Sequence, residues 1–475
     1  MNDGTVIKFG TDGWRELIAD GFTFANLGRV TQAYAQYLNS KSNGATNPLV
    51  IIGFDTRFLS ERFAQHVAEI LSANAIAVEL FPTATPTSLV SFAVKHRAAQ
   101  GGLMITASHN AAQYNGFKIK APWGGSASTE VTDAVEKLID RSPVLSIQTS
   151  THAVAEVRTA DTSIEKAYRL RIETLIDLER IRCSDSHVVI DSMHGCGGNI
   201  IHSFLKSGKL TAETIRADRD VTFGGAAPEP IDRYLGALKS RVKETNATIG
   251  LATDGDADRL GAVDDQGETM TLHLVVPILL AHLHKNKSLS GEVIFTVSQS
   301  VLMRRMSEAY GLKWRETPIG FKYIAEHMLG GDVLIGAEES GGVGVKGHIP
   351  ERDGIINSLL LLEAVVTAGK PPSAMIRDLQ KEFGAFFYDR RDIYLGKQGR
   401  AKPKENLFDS RPDQLAGYRI VEATDKDGLK LMLEDDSWVM IRPSGTEPVL
   451  RLYAEATSKQ KTRSLLEAAE HRWAR

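Results

Sequence analysis

Short runs of branched apolar residues, each followed by a stretch whose apolar positions recur at helical spacing, appear along most of the chain. Residues 49–53 lead into 61–73, 188–191 into 199–206, and 293–297 into 301–310. Such alternation predicts strand–helix units with largely parallel strands, an α/β architecture. Further strands are predicted at 75–81 and 102–106, and a Ser/Thr-rich stretch at 142–151 closes the first module. The rhythm changes after residue 384: strands at 419–422, 428–433, 438–442 and 449–456 precede one helix at 459–472, the pattern of a compact α+β module. Four modules are therefore expected, at 1–150, 151–259, 260–384 and 385–475, the first three sharing one strand, loop and helix rhythm.

Length agrees with that division, since 475 residues exceed what one hydrophobic core sustains. Charge narrows the range of partners. With 56 basic and 59 acidic residues the formal net charge is −3, and no long block of one sign appears, so a nucleic-acid or anionic-membrane binder is not expected. The chain has two cysteines, Cys183 and Cys196, which support neither a disulfide framework nor a thiolate metal site. No apolar run approaches ~20 residues and no secretory leader pattern opens the chain, so a cytoplasmic protein is expected.

The candidate chemistry lies at strand ends. The predicted strand at 102–106 runs into Ala107, Ser108, His109 and Asn110. Ser108 there is either a helix cap or a nucleophile, and as a nucleophile its hydroxyl needs help from His109, Lys118 or a metal. Asp254, Asp256 and Asp258 follow the apolar strand 248–252, with only Gly255 and Ala257 between them. In an extended stretch alternate side chains share a face, so three carboxylates converge and favour a hard divalent cation such as Mg²⁺. An EF-hand fails, because Arg259 and Asp265 stand where glycine and glutamate are required; a solvated acidic turn is the plainer alternative. Arg442, Ser444, Gly445 and Thr446 join two predicted strands and carry the parts of a phosphate cradle, although a hairpin turn would use the same Pro and Gly. Glu338 and Ser340 sit on a Gly-rich loop and could meet sugar hydroxyls or simply water. The run Gly195, Cys196, Gly197 and Gly198 lacks the full dinucleotide spacing and reads as packing. No histidine pair has zinc-ligand spacing.

Together these runs resemble the α-D-phosphohexomutase family, which includes phosphoglucomutases, phosphomannomutases and phosphoglucosamine mutases. The resemblance spans nearly the whole chain and rests on five runs in the family's order: Phe9 to Arg15, Thr106 to Asn110 with Asn115 to Lys118, Asp254 to Arg259, Glu338 to Gly342, and Arg442 to Pro448. It implies four domains around a central cleft. It also implies that Ser108 is the phosphorylated residue, that Asp254, Asp256 and Asp258 hold Mg²⁺ together with it, and that Arg15, Lys118 and Arg259 stabilise charge on the transferring group. Glu338 and Ser340, with Lys322 and His348, would contact the sugar, while Arg442, Ser444, Gly445 and Thr446 hold the phosphate that stays in place. Ala111 stands where relatives often carry proline, and Gly342 stands where several carry the histidine that ends the sugar loop. The general acid/base is therefore left among His109, Lys118 and His348.

The run Gly320, Phe321, Lys322 together with Glu338, Glu339, Ser340, Gly341 resembles phosphoglucomutase. The expected reaction interconverts glucose 1-phosphate and glucose 6-phosphate through glucose 1,6-bisphosphate, which would also serve as activator, and mannose phosphates are possible substrates. Alternatives from the same residues are a phosphomannomutase or phosphoglucosamine mutase, a bisphosphate synthase recharged by another sugar bisphosphate, a metal-dependent sugar phosphatase, and a noncatalytic sugar-phosphate sensor.

Overall fold

The computed structural model describes residues 5–10, 12–41, 48–150, 153–394, 407, 409, 411–443 and 449–474. The apolar run near residue 50 forms the strand Leu49–Phe54, which pairs in parallel with Ala77–Leu80 on one side and Gly101–Ile105 on the other. Val50 and Ile52 face the helix Ser60–Ala73, packing with Phe63, Val67 and Leu71, while the opposite face is covered by the helix Thr87–His96. A strand buried on both faces reads as a continuous apolar run rather than an alternation. Each fully buried Ile or Val there contributes about 1.5–3 kcal/mol. Tyr114–Lys120 and Trp14–Leu17 extend this sheet antiparallel, and Val157–Thr159 closes its other edge.

A second sheet has the order Thr269–Met270, Leu260–Val263, Ile249–Thr253, His187–Asp191, Thr211–Ile215. Leu260–Val263 pairs antiparallel with Ile249–Thr253, so the acidic run is the connection between two paired strands. The pairing carries this sheet to Met270, past Arg259, where the sequence pattern suggested a boundary. The apolar helix Gly354–Ala368 packs on these same two strands, and its first turn is capped by Asp353 Oδ1, which accepts from the amides of Ile355 (3.0 Å) and Ile356 (3.1 Å). By internal packing the chain divides into two compact units, Met1–Met270 with Gly341–Pro371, and Thr271–Ser340 with Pro372–Arg475.

Within the second unit, Glu292–Thr296 pairs in parallel with Trp314–Thr317 and Val333–Ala337. An antiparallel sheet runs Phe387–Tyr394, Val449–Ala456, Trp438–Pro443, Leu429–Leu433, Tyr418–Thr424, and the helix Lys459–Trp473 buries Leu465, Leu466 and Ala469 against it. A buried carboxylate joins the two parts of this unit: Glu455 accepts from the amide of Val301 and from Trp438 Nε1, each at 2.9 Å. No single described helix is long and apolar enough to cross a membrane.

Candidate active site

In α/β sheets the loops that leave the carboxyl ends of strands carry reactive groups. Three such ends meet in the first unit. Leu49–Phe54 delivers Asp55 and Arg57, Gly101–Ile105 delivers Ser108, and Ile249–Thr253 delivers Asp254. No helix follows Ser108, so it caps none. Its backbone adopts φ 54°, a left-handed conformation that non-glycine residues take only when their surroundings enforce it. The Ser108 amide donates to Thr106 Oγ1 at 2.8 Å, Thr106 Oγ1 donates to Asp55 Oδ2 at 2.6 Å, and Ser108 Oγ donates to Asp254 Oδ2 at 3.0 Å.

Asp254, Asp256 and Asp258 converge, with one carboxylate oxygen from each within 4.8 Å of the others. They do so in a turn rather than the extended stretch that their spacing suggested: the amide of Ala257 donates to Asp254 O at 3.0 Å, and Ala257 has φ 56°. The turn lies close over the loop that contains Gly195, where a Cβ would stand 2.7 Å from Gly255 O and 2.8 Å from Asp254 O. Close backbone approach thus accounts for a glycine in that run, and the amide of Cys196 donates to Gly255 O at 2.9 Å.

The two oxygens of the Asp256 carboxylate are used differently, and so are those of Asp258. Asp256 Oδ2 accepts from Thr87 Oγ1 at 2.6 Å and from Lys118 Nζ at 2.8 Å, and Asp258 Oδ2 lies 3.3 Å from Lys118 Nζ and 2.9 Å from Arg352. Oδ1 of Asp256 and of Asp258 is buried without a hydrogen-bond partner. Buried carboxylate oxygens are costly to leave unpaired. Two such oxygens beside Asp254 and Ser108 make a donor set of hard oxygen ligands that fits a divalent cation such as Mg²⁺.

Electrostatics agree with that reading. Burial, and then the charges of Asp256 and Asp258, hold the Asp254 carboxyl well above the usual range, so three ionised carboxylates here call for more positive charge. Burial works against the charge of Lys118, but Asp12, Asp256 and Asp258 outweigh it and hold the ammonium protonated above its ordinary value. Burial together with Arg259, Arg15, Lys118 and Arg57 pushes His109 well below its ordinary value, and its Nδ1 has no partner. Arg15 donates to Asn110 Oδ1 at 2.8 Å, and Arg259 Nε lies 3.9 Å from Asp258.

Sequence reading singled out neither Asp12, Thr87, Arg352 nor Arg57. Asp12 lies 2.9 Å from Lys118 and 2.7 Å from Arg352. The adjacent Glu351 takes Lys120 Nζ at 2.6 Å. Asp12 lies in the same run as Arg15, and Glu351, Arg352 and Asp353 form a charged triplet just before an apolar helix, which is a readable signal. Thr87 gives none. His348 is engaged by Asp353 Oδ2 at 3.0 Å, which also accepts from Tyr168 at 2.7 Å.

The remaining candidates belong to the second unit. Val333–Ala337 ends at Glu338, which is buried, and the next residue, Glu339, accepts from Ser298 Oγ at 2.5 Å. Ser340 follows on the same turn. Lys322 lies in the first turn of the helix Phe321–Gly330, with its Nζ 5.1 Å from the Tyr323 ring centre. Arg442 Nε donates to Asp427 Oδ1 at 3.0 Å, and Asp427 Oδ2 accepts from the amide of Ile319 at 3.0 Å. Ser444, Gly445 and Thr446 lie outside the described residues.

Family models for phosphoglucomutase/phosphomannomutase match the chain in four places: α/β/α domain I at 6–144, domain II at 166–267, domain III at 273–383 and the C-terminal domain at 401–471. A phosphoglucomutase/phosphomannomutase from Thermococcus kodakarensis is 30% identical over 464 residues, covering 97% of this chain and 96% of the relative. A phosphoglucosamine mutase from Geobacillus kaustophilus is 29% identical over 97% of this chain and 96% of its own length. Among solved structures, a Thermus thermophilus protein assigned as a phosphomannomutase superimposes with a TM-score of 0.86 at 35% identity, covering 98% of this chain and 99% of that one. The open form of parafusin, a phosphoglucomutase from Paramecium, shares the fold at TM-score 0.80 and 22% identity, covering 98% of this chain and 93% of that one. The chain therefore belongs to the phosphoglucomutase/phosphomannomutase family of α-D-phosphohexomutases, enzymes that transfer phosphoryl groups intramolecularly.

Proposed function

We propose that this enzyme interconverts glucose 1-phosphate and glucose 6-phosphate, with Ser108 as the residue that carries the phosphoryl group. The observation that carries the reading is the strained Ser108, whose Oγ meets Asp254 Oδ2 at 3.0 Å in a cluster with two carboxylate oxygens that have no hydrogen-bond partner. Asp254, Asp256 and Asp258 would hold Mg²⁺ together with phosphoserine, and the ion, when bound, supplies positive charge for the oxygens of the transferring group. Arg15, Lys118 and Arg259 add fixed positive charge around Ser108, where a loose phosphoryl-transfer transition state spreads negative charge over its oxygens.

In the first half of the cycle the P–Oγ bond of phosphoserine breaks as a bond forms from phosphorus to a sugar hydroxyl. The hydroxyl proton passes to a base, which returns it to the departing Oγ, so that Ser108 is left as the free hydroxyl. His109 is the candidate for that base, because it adjoins Ser108 in the chain, is held neutral and has Nδ1 without a hydrogen-bond partner, whereas Lys118 is held protonated and His348 has its Nε2 engaged by Asp353. The glucose 1,6-bisphosphate so formed turns over and returns its other phosphoryl group to Ser108, and added bisphosphate would act as activator. Glu338, Ser340, Lys322 and His348 are assigned to the sugar. Arg442, Ser444, Gly445 and Thr446 are assigned to the phosphate that stays in place. Four modules in chain order would then carry phosphoserine, metal, sugar and phosphate loops.

A phosphoglucosamine mutase or phosphomannomutase is the second reading, favoured by the names of the relatives. Parallel assays with glucose 1-phosphate, mannose 1-phosphate and glucosamine 1-phosphate decide between them, and the highest kcat/KM is expected for the glucose ester. In the same assays Ser108→Ala should lose roughly a thousandfold or more of the activity while folding normally. Equal turnover by the Ser108→Ala protein would refute the phosphoserine cycle. Inorganic phosphate released as fast as sugar turns over would point to a phosphatase instead.

A further inference from the structure

None of the guanidinium hydrogens of Arg57 goes to the acidic triplet; the side chain lies instead under the loop that presents Ser108. Its side chain is fully buried, and all five guanidinium hydrogens are used. Nε donates to Asp55 Oδ2 at 2.9 Å, one terminal nitrogen donates to the carbonyls of Ala111 (2.8 Å) and Tyr114 (3.0 Å), and the other to those of Ser108 (2.7 Å) and Asn110 (2.6 Å). Four main-chain carbonyls within seven residues thus converge on one planar fork.

A loop that turns back on itself cannot satisfy all its own carbonyls in a ladder: Ala111 O accepts from the Tyr114 amide at 3.1 Å, but leaving the buried Ser108 and half-buried Asn110 and Tyr114 carbonyls short of donors would be costly. The guanidinium satisfies them at fixed spacing, which also restricts the torsions between them, including the left-handed Ser108. Asp55 fixes the fork in turn. Its Oδ1 accepts from the Arg57 amide at 3.0 Å and from Ser60 Oγ at 2.7 Å, and its Oδ2 takes Thr106 Oγ1, the group that accepts from the Ser108 amide. The face of the guanidinium is covered by the Phe223 ring, with 5.0 Å between the guanidinium carbon and the ring centre.

We propose that Arg57 is the positioning residue of the phosphoryl-carrying loop, setting the direction of Ser108 Oγ through four carbonyl contacts and Asp55. The proposal rests on Ser108 being the phosphoryl carrier. Lysine is not a substitute, since an ammonium offers three donors around a point and cannot reproduce the planar fork. A 1 Å misplacement of a nucleophile is enough to cost about a hundredfold in rate.

The test compares parent and Arg57→Lys proteins, full length and with Mg²⁺ present, mixed rapidly with glucose 1,6-bisphosphate, with arrival of the phosphoryl group on Ser108 followed by intact mass and peptide mapping. Phosphorylation of Ser108 is expected to slow about a hundredfold in Arg57→Lys, with KM for hexose monophosphate and Mg²⁺ affinity by calorimetry within about threefold of the parent. Amide hydrogen exchange is expected to rise in residues 106–114 and to stay unchanged in 254–259. A phosphorylation rate within about threefold of the parent overturns the proposal, as does a parallel loss of metal affinity and exchange protection across both loops, which marks a general structural role. If Arg57→Lys does not fold, Asp55→Asn, which loosens the tether but keeps the fork, carries the same criteria with a tenfold slowing expected. Should the parent itself not be phosphorylated on Ser108, the phosphoserine reading fails, and the exchange pattern alone then decides whether Arg57 governs the loop.

Discussion

Lys118 shows how far single side chains set the state of this site. Its ammonium faces Asp12, Asp256 and Asp258 at 2.9, 2.8 and 3.3 Å, all in a buried setting. Removing one member of such a group leaves uncompensated charge, which costs about 3–5 kcal/mol. Lys118→Met is therefore expected to melt at lower temperature than the parent in chelator, and added Mg²⁺ should raise its melting temperature by more than it raises the parent's, since the cation restores part of the lost compensation. Thermal scans of both proteins with and without Mg²⁺ check this, and equal shifts would dismiss the compensating role. The sequence showed only part of this cluster. Ser108 and the three aspartates are legible because neighbours in the chain stay neighbours in space at a strand end. Thr87 and Arg352 reach Asp256 and Asp258 from distant segments, and no local spacing encodes such meetings.

At the scale of elements, strands buried on both faces stood out as continuous apolar runs, so Leu49–Phe54 and Glu292–Thr296 were readable from pattern alone. The acidic turn was not, because the left-handed Ala257 follows from the backbone bond to Asp254 and from the crowding over Gly195 rather than from propensity. How elements are pinned to each other also escapes pattern. His273, on the helix Leu272–Ala281, stacks on Tyr388 with ring centres 3.7 Å apart, and its Nε2 lies 2.9 Å from Ser298 O. Burial pushes its pKa down to about 3 from an ordinary value of 6.5. The unfolded chain takes up this proton near its ordinary value while the folded imidazole refuses it, so stability is full above about pH 6.5 and falls as pH drops toward 3, by about 1.4 kcal/mol per unit. His273→Gln should lose about 1 kcal/mol near neutrality with the stacking, yet decline less steeply than the parent as pH falls from about 6.5 to about 5. Urea midpoints across that range measure the difference, and parallel slopes would contradict it.

On the scale of the whole molecule, the charged groups named above around Ser108 belong to the unit Met1–Met270 with Gly341–Pro371, whereas Lys322, Glu338, Ser340 and Arg442 belong to the other unit. Module order was legible because each module carries one diagnostic loop; the packing of helix Gly354–Ala368 with the strands of the first unit was not, since it joins segments far apart in the chain. Under the proposed reading the two units have separable duties, cation and phosphoryl chemistry in one and grip on the substrate in the other. Arg442 is the place to test that separation, because its guanidinium is fixed by Asp427, which also holds the amide of Ile319 ahead of Lys322. A charge-assisted hydrogen bond to phosphate is worth about 1.5–3 kcal/mol, so Arg442→Ala should raise KM for hexose monophosphates by roughly tenfold to a hundredfold. Mg²⁺ affinity of the same protein, measured by calorimetry, should match the parent, because Arg442 is held by Asp427 and none of the three aspartates is changed. A loss of Mg²⁺ affinity comparable to the rise in KM would show that substrate grip and metal binding are one cooperative event, and the assignment of separate duties would have to be abandoned.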